Sequence, residues 1–187
     1  MHWFLELLDK LGLDHQVGHP SEIRKAETRK QKHDRRDAAL LLKLQVENRF
    51  PSISMPSSEL RDLRTLLRHR HQWVRMRTRV QNALQAMVIS RGLRRGKALW
   101  TQTGQHTIAS LRLPPHSAHR RTALQDLYHR LHAQIDELDK RVGDQALQRP
   151  GAKLLMSHPG VGPVTALATD VFLGDPGRFA DGKAVVS

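Results

Sequence analysis

The sequence predicts a mostly α chain, and three observations carry that reading. Apolar residues recur at helical spacing through two long segments, from about residue 59 to 92 and from about 121 to 147. Proline, glycine and serine gather between such segments rather than inside them. The one stretch that suits a strand, residues 14–20, alternates too weakly to be told from a loop. At 187 residues the chain has room for one ordinary domain, or for two small units joined by helices.

The opening segment puts Trp3, Phe4, Leu7, Leu8 and Leu11 on one helical face and stops at Gly12, which implies a short helix that packs against something. Glu6 and Asp9 lie inside that apolar stretch, which a secretory leader would keep uncharged. After the short Asp14 to Pro20 segment and a polar run to His33, Asp34-Arg35-Arg36-Asp37 leads into the apolar Ala38 to Leu44. This reads as a helix whose acidic first turn suits the positive end of the helix dipole. Pro51 and Pro56, with Ser52, Ser54, Ser57 and Ser58, mark a boundary, and Ser58 can cap the next helix.

Leu60, Leu63, Leu67, Val74, Leu84, Met87 and Val88 then describe one long helix without Pro or Gly. Residues 96–119 read as a connection with room for one short helix. Leu124, Tyr128, Leu131, Ile135, Leu138 and Val142 follow at alternating steps of four and three, a heptad seam. Two such helices can form an antiparallel coiled-coil arm, each with the other or with a second copy of the chain. Gln148-Arg149-Pro150-Gly151 breaks the pattern and opens a compact last piece.

Charge narrows the partner. Lys and Arg total 31 against 18 Asp and Glu, a formal charge of +13, which favours a polyanion. The excess is concentrated: between residues 60 and 97 stand eleven Lys or Arg and one acid, Asp62. Arg61, Arg64, Arg68, Arg75 and Arg79 fall at helical steps and are candidates for nucleic-acid phosphate, against the simpler reading of a solvated face. Three Trp, four Phe and one Tyr leave little for stacking on aromatic platforms. No apolar run approaches the ~20 residues of a membrane span. The absence of cysteine removes disulfides and thiolate chemistry and suits a reducing cytoplasm.

Two motifs could carry chemistry. Asp34 and Asp37, one helical turn apart, can share a hard divalent cation such as Mg²⁺, although paired acids in a helix's first turn also arise with no ligand. Pro159-Gly160-Val161-Gly162-Pro163 joins two apolar segments as a helix-hairpin-helix would, with Gly160 and Gly162 letting a phosphate approach backbone amides. The plain alternative is a tight interhelical turn. The pairs His69 and His71, and His129 and His132, lack companions for a metal site and read as surface histidines.

In combination these segments resemble the DEDD-type insertion-sequence transposases of the family numbered one hundred and ten, relatives of the Piv DNA invertases. Lys32-His33-Asp34-Arg35-Arg36-Asp37-Ala38 looks like that family's Lys-Thr-Asp-x-x-Asp-Ala box, with His33 in place of Thr. Pro56 to Arg64 looks like its Pro-Ser-x-Glu-Leu-Arg-x-Leu helix start, and Pro159 to Gly162 and Gly174 to Phe179 look like its second-domain signatures. The resemblance implies residues 1–50 as the C-terminal part of an α/β RuvC-like, ribonuclease-H-type nuclease domain. It makes 51–150 a basic helical coiled-coil region and 151–187 the start of a helical C-terminal transposase domain.

It further implies Mg²⁺ held by four acids, of which Asp34 and Asp37 are the two present here, and catalytic and metal roles for both. A serine nucleophile in the second domain, DNA as partner, a guide-like bridge RNA and a homo-oligomer are implied too. On this comparison the first Asp and the Glu would precede Met1. The serine would lie beyond Ser187, so truncation at both ends is expected. The reading is a DNA transposase or recombinase fragment, the alternative a non-catalytic nucleic-acid-binding remnant or regulator. An unrelated basic RNA-binding protein would explain the charge but not the ordered boxes.

Overall fold

The computed structural model describes residues 2–26, 33–53, 55–93, 96–179 and 181–186, with only the backbone given for His2, Arg178 and Val186. Lys32 of the first box, Ser54, Arg94, Arg95 and Ser187 lie outside the described residues. The chain is mostly helical and divides into two units at Ser57 and Ser58, inside the Pro/Ser segment.

Among its described residues the first unit carries three short helices, α1 (His2–Lys10), α2 (Pro20–Lys25) and α3 (Asp34–Val46). α3 ends where Asn48 takes a left-handed φ of 56°. The amide of Arg49 then donates to Leu44 O at 2.8 Å and that of Asn48 to Gln45 O at 3.1 Å, which satisfies two carbonyls of the last turn. Of the Asp14 to Pro20 segment, Pro20 opens α2 and the rest is a loop with one antiparallel bridge, Gly18 to Ser52, flanked by His19 N to Pro51 O at 2.9 Å and Ile53 N to Val17 O at 2.8 Å. Among the described residues no longer strand forms. Leu5 and Leu44 are buried, whereas Trp3, Phe4, Leu7, Leu42 and Val46 remain exposed.

The second unit is built on two long helices, α4 (Ser58–Ile89) and α6 (Pro115–Gln148). Leu63 and Leu67 of α4 pack with Val142 and Ala146 of α6, and Val80, Leu84 and Val88 pack with Tyr128 and Leu131. Early residues of one helix thus meet late residues of the other, so the pair is antiparallel. The seam read from the sequence is the packed face: Tyr128, Leu131, Ile135, Leu138 and Val142 are all buried, with Leu124 partly so. Each fully buried Val or Leu contributes about 1.5–3 kcal/mol.

α4 closes at Gly92, whose φ of 76° an L side chain would strain, while Leu93 N donates to Val88 O at 3.2 Å. The connection that follows holds a short 3₁₀ turn (Gly96–Trp100) and α5 (Gln102–Ala109), capped by the Thr101 hydroxyl accepting from Gly104 N at 3.3 Å. Leu99 and Ile108 from this stretch join the core. α6 begins at Pro115, six residues before the sequence reading placed it, because proline at the first helical position is favourable rather than a break.

α7 (Pro150–Met156) and α8 (Pro163–Leu173) fold back on the open end of the long pair. Ala152, Ala166, Leu167 and Val171 share one core cluster with Leu63, Leu67, Val142 and Ala146. A 3₁₀ turn (Pro176–Arg178) and α9 (Gly182–Val186) complete the described chain.

Candidate functional site

Along α4, Arg61, Arg64, Arg68, Arg75 and Arg79 fall within about 60° of one another around the helix axis and span about 27 Å along it. Arg68, Arg75 and Arg79 are exposed, whereas Arg61 and Arg64 are half-buried. Arg64 has local work: its Nε and Nη2 donate to Val171 O at 3.2 and 3.0 Å, satisfying a carbonyl in the last turn of α8. Its guanidinium also lies 5.4 Å from the centroid of the Phe172 ring, with Arg68 at 5.5 Å from the same centroid.

Two further arginines, which the sequence reading did not single out, fasten the second unit. Arg70 donates through Nε and Nη2 to the Asp139 carboxylate at 2.6 and 3.2 Å, midway between the two core clusters. Arg149, where α6 gives way to α7, pairs with Asp170 of α8 and, at 3.2 Å, with Glu59 at the start of α4. The signal for Arg70 was available: three positions after Leu67, it puts a charge on the apolar stripe, where a charge needs a partner.

Gly160 and Gly162 stand in the turn between α7 and α8. Gly160 adopts a φ of 86°, and Gly162 caps α8 in an extended conformation. Both are exposed, and a Cβ added to either would meet open space. The first intrahelical bond of α8 is Ala166 N to Gly162 O at 2.9 Å. Pro163 has no N–H, so the amides of Val164 and Thr165 precede the intrahelical ladder and face the turn.

Asp34 and Asp37 stand in the first turn of α3, Asp34 exposed and Asp37 half-buried. Their carboxylate oxygens are the donor type Mg²⁺ prefers, and the spacing allows both to reach one ion. Two carboxylates supply at most part of one shell. Among the described residues no group of three or more His, Cys, Asp or Glu gathers that could hold a metal. The histidines pack on rings instead: His69 meets Trp73 edge-on at 5.4 Å, and His129 and His132 lie 5.5 and 6.0 Å from Tyr128.

No helix among the described residues is long and apolar enough to cross a membrane.

Comparison with known proteins places these features in one context. A DEDD-type transposase model of IS110 elements, described as "Transposase", matches residues 4–90, which hold the Asp34 and Asp37 pair and all five stripe arginines. A second, described as "Transposase IS116/IS110/IS902 family", matches residues 152–187, which hold the Gly160 turn. The chain is also 26% identical to a "Probable family 20 transposase" of Pseudomonas aeruginosa across 81% of its own length, and spans about half, 46%, of that relative. Two models of one transposase lineage thus match the chain in order, together over about two thirds of its residues, and make it similar to transposases of the IS110 kind.

Proposed function

We propose that this chain contributes the nucleic-acid-holding helical region of a DNA transposase, together with two ligands of its metal site. The observation that carries the reading is the α4 stripe. Arg68, Arg75 and Arg79 are exposed along one face of a 32-residue helix in a region nearly free of acids. Such a face neutralises phosphates and releases counterions with little regard to sequence. The Gly160 to Gly162 turn adds backbone amides at the start of α8, as a helix-hairpin-helix does, and takes one more phosphate.

In this reading the first unit is part of an α/β RuvC-like nuclease domain. The uncovered apolar faces of α1 and α3 support it, since helices of that kind lie over a sheet. Asp34 and Asp37 are its metal ligands. Bound there, Mg²⁺ would polarise the phosphodiester and steady the leaving oxygen; the aspartates hold and orient the ion. A guide-like bridge RNA competes for the same basic face. The heptad seam makes α4 and α6 a coiled-coil arm, and a second copy docks on its flank, where Trp73, Met76 and Leu127 line an open, mostly apolar cleft of about 590 Å³.

The non-catalytic alternative, a nucleic-acid-binding regulator, is favoured by one observation: among the described residues no group of three or more His, Cys, Asp or Glu forms around Asp34 and Asp37. One experiment separates the two. The 187-residue chain should neither cut nor join DNA, while a chimera carrying the flanking segments of the Pseudomonas relative should cleave with Mg²⁺. In that chimera Asp34→Ala or Asp37→Ala should abolish cleavage with little loss of folding, since neither removes much buried apolar surface. Cleavage indifferent to both substitutions would contradict the assignment of this pair.

A further inference from the structure

Between α4 and α8 runs an open groove of about 450 Å³, in the size range of small-ligand sites. Leu67, Val164, Ala168 and Phe172 form its apolar floor, and Arg68, His71 and Arg75 stand along its edge. Phe172 keeps 42% of its surface exposed at the C-terminal end of α8. Arg70, tied to Asp139, walls the groove, whereas Arg64, tied to the Val171 carbonyl, lies over the Phe172 ring outside it. Arg68 and Arg75 are exposed and carry the charge it offers to a ligand.

We propose that this groove receives an unpaired nucleotide of single-stranded DNA, its base against Phe172 and Arg68 and its flanking phosphates on Arg68 and Arg75. The proposal rests on the nucleic-acid reading above and adds a second mode to it. A duplex keeps its bases stacked inside and can meet the α4 stripe only through phosphates. An apolar floor beside cations instead suits a base that has left the stack, because every base has an apolar π-face that stacks on aromatic rings and guanidinium planes. Arg68 and Arg75 lie about 10.5 Å apart along the helix, a separation that a flexible single strand can bridge. His71 and Gln72 place hydrogen-bonding groups at the same edge, able to meet a base without demanding one sequence. DNA is the source because the cutting and joining proposed for the whole protein free DNA strands from their duplex.

The test compares a fluorescent twelve-residue oligothymidine with a duplex of equal length, both bound to the full chain at one salt concentration. Phe172→Ala should weaken single-strand binding about tenfold, the loss of one base–aromatic stack, and change duplex binding less than twofold. Phe172→Trp should restore it. A strand carrying 5-bromodeoxyuridine should photocrosslink to the Pro163–Leu173 peptide, and circular dichroism should show both variants as helical as the parent. Unchanged single-strand affinity in Phe172→Ala, or displacement of the strand by poly-glutamate but not by a second oligothymidine, would overturn the proposal. So would clear preference for an oligouridine RNA. If the parent chain binds neither strand nor duplex, the nucleic-acid reading itself fails, which is a different result.

Discussion

The two units handle the same kind of residue in opposite ways. In the second, Ile135, Leu84 and Val142 are buried between α4 and α6, and the apolar face of each long helix finds its partner within the unit. In the first, Leu5 and Leu44 are covered, but Trp3 stays 69%, Leu42 66% and Val46 78% exposed on helices with the same amphipathic character. Apolar periodicity therefore fixes that a helix forms, although in α1 the buried Leu5 lies off the Trp3, Phe4 and Leu7 face. It does not say what the cover is.

Substitutions on the two faces should differ sharply. Ile135→Asp buries an uncompensated charge between α4 and α6 and should cost several kcal/mol. Leu42→Asp on α3 should change stability by less than about 0.5 kcal/mol. Thermal unfolding followed by circular dichroism measures both, and equal losses would erase the contrast between the units. A smaller effect sharpens it inside the second unit. Arg70→Ala leaves Asp139 without its bidentate partner and should cost about 1 kcal/mol, since the pair is partly exposed. Arg64→Ala, which frees the Val171 carbonyl and uncovers the Phe172 ring, should cost a similar ~1 kcal/mol. Arg79→Ala, on the exposed part of the same stripe, should cost nothing measurable in stability.

Much of this was legible in the sequence where the signal is local or periodic. The α4 stripe and the α6 seam need only spacing, and the Gly160 turn needs only the rule that a left-handed residue is best a glycine. What was not legible joins residues far apart in the chain. Arg64 meets Val171 across 107 positions and Arg70 meets Asp139 across 69, and no spacing rule links such partners. The sequence therefore treated Arg64 and Arg79 as equals, although one anchors α8 and the other faces solvent. The beginning of α6 was missed for a different reason: Pro114-Pro115 ends helices in most contexts and starts this one.

The central claim is that the arginine face of α4 holds DNA through its phosphates. Its most direct test is the affinity of the chain for a random-sequence duplex, measured from 50 to 200 mM salt and repeated with Arg75→Ala and Arg79→Ala together. The claim predicts a steep linear fall of log affinity with log salt, and a slope smaller by about two in the double variant, close to 0.9 for each phosphate no longer neutralised. A parent chain whose binding ignores salt, or a double variant with the parent's slope, would contradict it.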